Sequence, residues 1–155
     1  AFGLATGAAV LLAVATLFGR FQVVQLIIAA IALAMVAVLK FLYWNAIDNA
    51  PRDRTMAKAT GLGDGVRQWE VPHTATNFLQ KEMGYVIARK HARTLRMLVF
   101  LMLALVAVLY GLALVLPLFC IPAAAIILAA AFVERWLFFA EGEHVVTLFY
   151  GNQSV

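Results

Sequence analysis

Glu134, Arg135, Glu141 and His144 fall within eleven residues at the C-terminal end of an otherwise apolar run. Glu134 lies about 12 residues past Pro122, or roughly 18 Å at 1.5 Å per residue along a helix. That depth is inside or near the edge of a hydrocarbon core of roughly 30 Å. A carboxylate and a guanidinium are costly there, and they usually face the bundle interior or a wet cavity. At about 100° per residue, Glu141 falls roughly 20° from Glu134, and His144 roughly 60° beyond Glu141. Glu134, Glu141 and His144 therefore share one face of a continued helix, while Glu143 points the other way. Ala123 and Ala130 carry the same stripe deeper, and small residues there let helices approach closely. Arg135 sits about 100° round from Glu134 and is placed to pair with a neighbouring helix.

Acids, bases and a cation at one end of an apolar bundle suit proton-coupled redox chemistry on a lipid-soluble quinol. A quinol that gives up electrons must also release protons, so it needs a histidine or carboxylate within hydrogen-bond reach. It also needs an apolar cleft for its ring and tail. Glu134, Arg135, Glu141 and His144 are candidates for quinol binding or proton relay. His73 and His91 join them, because they flank a helical stretch on the same side. A plainer reading stands beside this one: Glu134 and Arg135 as a helix-to-helix tie, and Glu141 and His144 as the exit into water.

The elements that must position these residues are apolar. Of 155 residues, 65% are hydrophobic and 13% charged, against roughly half and a quarter in a soluble domain. Nine of the twelve Lys/Arg and five of the eight Asp/Glu fall between Asn45 and Arg96. Four apolar segments stand out against the roughly 20 residues needed to span a bilayer: 3–18, 21–44, 95–118 and 122–140. They predict an all-α fold, a multi-pass transmembrane bundle with four spans in a single membrane domain over 1–155. The first segment is short, and the chain opens without a methionine or a basic leader region, so it reads as the edge of a longer protein. Lys40 interrupts the second segment and is expected to snorkel to the interface, with Tyr43 and Trp44 in an aromatic belt.

Residues 45–94 form the one long polar stretch. Gly61-Leu62-Gly63-Asp64-Gly65 reads as a turn, since no strand precedes it and no Gly-Lys-Ser/Thr follows. From about Thr74, a capping residue, the spacing of Leu79, Met83, Val86 and Ile87 predicts an amphipathic helix. It would lie at the membrane face or serve as a solvated linker. The fourth span returns to the side of this loop. From Asn45 to Arg96 the chain carries nine basic and five acidic residues, or +4, which places the loop in the cytoplasm by the positive-inside rule. Basic residues here, among them Arg67, Lys81, Arg89, Lys90 and Arg93, can instead dock an acidic partner; anionic lipid is the other candidate. Lying beside membrane spans, they do not point to nucleic acid.

Cys120 is the single cysteine. It cannot form an internal disulfide or hold an iron–sulfur cluster or zinc by itself, and reads as a small hydrophobe. No histidine falls within an expected span, so no haem is expected between these helices, and electrons would leave to a partner.

The stretch from Val71-Pro72-His73-Thr74-Ala75-Thr76-Asn77-Phe78 to Leu79-Gln80-Lys81-Glu82-Met83-Gly84-Tyr85, followed by Ala88-Arg89-Lys90-His91-Ala92, resembles the DmsC family. These are the membrane anchors of dimethyl sulfoxide reductase-type molybdoenzymes. Glu134-Arg135-Trp136-Leu137-Phe138-Phe139-Ala140-Glu141 and His144-Val145-Val146 resemble the family's last helix, in the expected order. The resemblance covers about Asn45 to Tyr150. It implies a haem-free, eight-helix anchor in a prokaryotic cytoplasmic (inner) membrane, of which this chain matches the C-terminal half. It implies partners, namely an iron–sulfur (four-cluster) subunit and a molybdopterin catalytic subunit. Menaquinone or menaquinol would be the substrate, exchanging electrons with the iron–sulfur subunit in anaerobic respiration. Whether such an anchor is itself the quinol-oxidising subunit or non-catalytic stays open. Two other functions fit the residues: a purely structural anchor, and half of a proton- or ion-coupled transporter. Against the last, no span looks broken in mid-membrane by Gly or Pro.

Overall fold

A computed structural model describes residues 1–50 and 90–141, together with Lys58, Gly61 and Trp69. The regular structure among these residues is helical throughout: α1 (Phe2–Leu17), α2 (Val23–Asp48), α3 (Ala92–Ala113), a short 3-10 turn (Pro117–Phe119) and α4 (Cys120–Glu141). The close neighbours are α1 with α2, α2 with α3, α3 with α4, and α4 with α1. The four helices therefore run up and down around a ring, with α2 and α4 on one diagonal.

The buried residues explain this packing. They follow alternating steps of three and four: Ala5, Ala9 and Leu12 on α1; Leu26, Ala29, Leu33 and Val36 on α2; Val99, Leu103, Val106, Tyr110 and Ala113 on α3. On α4 the stripe is Cys120, Ala123, Ile127, Ala130, Glu134 and Leu137. This spacing keeps one seam facing the neighbours when helices cross at about 20°. Ala5, Ala9, Ala123 and Ala130 are fully buried, so backbones approach closely where they lie.

The outer faces are the reverse of a soluble protein's. α2 alone turns Val24, Ile27, Ile28, Ile31, Val38, Phe41 and Leu42 outward, an apolar surface far larger than water tolerates. α2, α3 and the Pro117–Glu141 stretch are each long and apolar enough to cross a membrane. The protein is a multi-pass membrane protein whose described regular structure is all helical. α1 is equally apolar, but its 16 residues fall short of that length. The described residues thus supply three spanning helices where four spans are expected.

The turns have local causes. α1 ends because Gly19 takes a left-handed φ of 66°. There the Arg20 and Gly19 N–H groups donate to Ala15 O at 2.7 Å and Thr16 O at 3.0 Å, which satisfies carbonyls that the helix end leaves open. α3 stops at Ala113, short of the expected 118. Pro117 forces Leu116 into an extended conformation, φ −132° and ψ 102°, as a residue before proline prefers. α2 continues past Trp44 to Asp48. The expected helix from Thr74 lies outside the described residues, and of the glycine-rich turn only Gly61 lies within them, with a left-handed φ of 70°.

Candidate functional site

Apart from Arg20, the charged residues described in the bundle gather toward the end where residues 51–89 join α2 to α3, the junction end. On α4, Glu134 and Glu141 stand seven residues apart, two turns of helix, and both turn inward. Glu134 is 7% exposed. Its Oε1 pairs with Lys40 Nζ, which reaches across the diagonal from α2. Lys40 also lies over the rings of Tyr43, 4.5 Å away, and Trp44, 5.6 Å away. The expected snorkelling therefore does not occur. Lys40 follows Val36 by four residues on the buried seam of α2, so its side chain enters the bundle.

Glu141 belongs to a second group. Its Oε1 accepts a 2.7 Å hydrogen bond from Arg96 Nε, and Arg96 Nη1 donates at 2.8 Å to both carboxylate oxygens of Asp48. Arg96 thus ties the ends of α2 and α4 to the start of α3. Its guanidinium also rests 5.5 Å from the Trp44 ring. Glu141 Oε2 is buried and meets no donor among the described residues. Trp44 is not a belt residue: it is 5% exposed and packs edge-on against Phe100 at 5.2 Å. One continuous cluster of rings and charges therefore links Lys40, Trp44 and Arg96.

Beside the Lys40–Glu134 pair a cleft of about 520 Å³ opens between the start of α1, the second half of α2 and the second half of α4. Its polar wall is Lys40, Tyr43, Glu134, Arg135 and Thr6; its apolar wall includes Phe2, Val36, Leu39, Ala131 and Phe138. Tyr43 and Phe138 stack at 6.4 Å. This volume lies within the range of small-molecule sites, as does the mix of apolar walls with a few polar groups. The pair offers an acceptor, Glu134, and a donor, Lys40. A planar molecule with hydroxyl or carbonyl oxygens can use both while its ring lies against aromatic walls.

The candidates named from sequence divide accordingly. Glu134 and Arg135 line the cleft, but Arg135 is exposed and makes no ion pair among the described residues. It does not tie Glu134 or a neighbouring helix. Glu141 shares the face of Glu134, as helical geometry requires, and bonds Arg96 instead of lining the cleft. His91 sits exposed at the start of α3, where its carbonyl accepts from the Leu95 N–H at 2.9 Å. Lys90 and Arg93 are exposed beside it. His73, His144, Arg67, Lys81 and Arg89 lie outside the described residues. Lys40, Asp48 and Arg96 are absent from the expected site; Asp48 is 62% exposed at its side chain, whereas Lys40 and Arg96 each lie on the three-four spacing of their own helix's buried seam. That spacing was the signal that marks them as inward-facing.

Comparison with protein-family models, with curated proteins and with solved structures finds no match to this chain.

Proposed function

We propose that the protein is the quinol-binding membrane anchor of a respiratory molybdopterin oxidoreductase. The observation that carries this reading is the cleft at the junction end, with an acid–base pair on one wall and aromatic and aliphatic side chains on the other. A quinol ring lies against Tyr43 and Phe138, with its tail along Val36 and Leu39. Glu134 accepts a hydroxyl hydrogen bond on the way to proton loss. Lys40 and Arg135 donate to the oxygens of the oxidised ring. Electrons leave to an iron–sulfur subunit docked at the junction end, where Lys90 and Arg93 are exposed; Arg67, Lys81 and Arg89 belong to the basic sequence that joins α2 to α3. The resemblance to the DmsC family supplies the partner classes, menaquinol and the prokaryotic inner membrane. It also makes α1 a fourth span, within an anchor of eight helices.

The ion pairs favour a second reading. Glu134 and Glu141 each hold a cation from another helix, as ties in a purely structural anchor do. Two measurements separate the readings. Extraction in mild detergent, with subunit identification and molybdenum, iron and haem assays, is expected to recover iron–sulfur and molybdenum subunits without haem. A chain that purifies alone and metal-free overturns the anchor reading. Quinol-dependent turnover per assembled complex is expected to fall by about 100-fold in Glu134→Gln, the scale of a lost general base. Unchanged turnover with normal assembly leaves the structural anchor.

A further inference from the structure

The opposite end of the bundle, the far end, carries a separate site. In its turns and helix ends, Arg20 is the one charged side chain among the described residues. It stands at the mouth of a groove of about 470 Å³ between α1 and α2, whose walls include Leu11, Val14 and Phe18. Gln25 also lines this groove, and its Oε1 is buried without a hydrogen-bond donor. A buried carbonyl oxygen left unpaired costs about 1–3 kcal/mol, so a donor from outside the chain is favoured there.

From this geometry we infer that the groove binds an anionic glycerophospholipid with a hydroxyl-bearing headgroup, of the phosphatidylglycerol class. Three features select it. The walls are apolar and turned toward lipid, so they take an acyl chain. Arg20 is a cation at the depth of the headgroups, and a lipid with one net negative charge neutralises it. Gln25 Oε1 needs a donor, which a headgroup hydroxyl supplies. An ammonium headgroup would also donate, but it would bring a second cation beside Arg20. A choline headgroup has no donor. This site is far from the cleft and does not rest on the quinol reading.

The test is native mass spectrometry of the intact protein, delipidated in mild detergent and titrated with phosphatidylglycerol or phosphatidylmethanol. The second lipid has the same charge and no hydroxyl in its headgroup. Phosphatidylglycerol is expected to bind about fivefold tighter, the value of one net hydrogen bond. Gln25→Leu is expected to erase that difference while leaving phosphatidylmethanol binding unchanged. Arg20→Gln is expected to weaken both lipids by about fivefold, and Arg20→Lys to retain them. Equal binding of the two lipids to the unaltered protein, or no effect of Arg20→Gln, overturns the proposal. Displacement of the lipid by equimolar inorganic phosphate also overturns it, because the site would then serve a free anion.

Discussion

Replacing Lys40 by Met keeps the length and apolar stem of the side chain and removes its charge. Glu134, 9% exposed at its side chain, then holds a carboxylate against the interior with no cation. Removing one partner of a buried pair costs about 3–5 kcal/mol in soluble proteins. Interhelical polar contacts within membranes average nearer ~0.6 kcal/mol, with a maximum near ~1.7. Lys40→Met should fall between them, at about 2 kcal/mol. The reverse change is milder. Glu134→Leu leaves Lys40 over the Tyr43 and Trp44 rings, and such contacts retain about 0.5–1 kcal/mol for the cation. Its expected cost is about 1 kcal/mol. The double variant removes both charges and should return to within about 0.5 kcal/mol of the unaltered protein. The assay is reversible unfolding in mixed micelles titrated with dodecyl sulfate, followed by far-ultraviolet circular dichroism. Costs that add in the double variant would refute the pair as a coupled buried unit. A Glu134→Leu cost exceeding that of Lys40→Met would refute the part assigned to the rings.

Arg96 joins two acids of unequal burial: the Asp48 side chain is 62% exposed and that of Glu141 8%. Asp48→Asn is expected to change stability by less than about 0.5 kcal/mol, as exposed pairs do. Arg96→Met should cost about 2 kcal/mol or more in the same micelle titration, because it strands Glu141. Ala130, fully buried on α4, leaves no room for a larger side chain. Ala130→Leu should destabilise the bundle by about 1–3 kcal/mol, whereas Ala→Leu at the exposed Ala125 should lie within about 0.5 kcal/mol of zero.

The apolar runs made the helices legible, because a stretch such as 21–44 has no other stable use. Their ends were less so. The local rule at Pro117 was visible, yet its effect on Leu116 shortened α3 by more than composition indicates. The inward turn of Glu134 and Glu141 followed from their spacing alone, since seven residues return to nearly the same side of a helix. Their partners did not. The nearness of Lys40 to a helix end points the other way, since a lysine there normally escapes to the interface. Its position four residues after Val36 counted for more, and α2 continues two turns beyond it. Trp44 follows the same rule: it sits on the seam, and only its neighbour Tyr43 reaches the cleft. The cleft itself was not legible, because it arises where α1, α2 and α4 diverge, a property of three helices together.

The charges at the junction end also bear on whether they act only as ties. The bonded group holds two cations, Lys40 and Arg96, against three acids, Asp48, Glu134 and Glu141. The cation that would balance them, Arg135, lies off the seam and on the cleft wall. The two buried acids, Glu134 and Glu141, are matched by Lys40 and Arg96, while Asp48 is 62% exposed at its side chain, so the unpaired charge on the cleft wall is Arg135. Glu141 Oε2, buried without a donor, is a further acceptor within the group. One spare acceptor within the group and one spare donor on the cleft wall suit a guest that brings protons in and leaves as an acceptor. The stability variants and the turnover variant therefore address the same residues with opposite expectations. Ties predict that turnover per complex is unmoved when Glu134 loses its charge, whereas a quinol site predicts its loss even where the bundle stays folded.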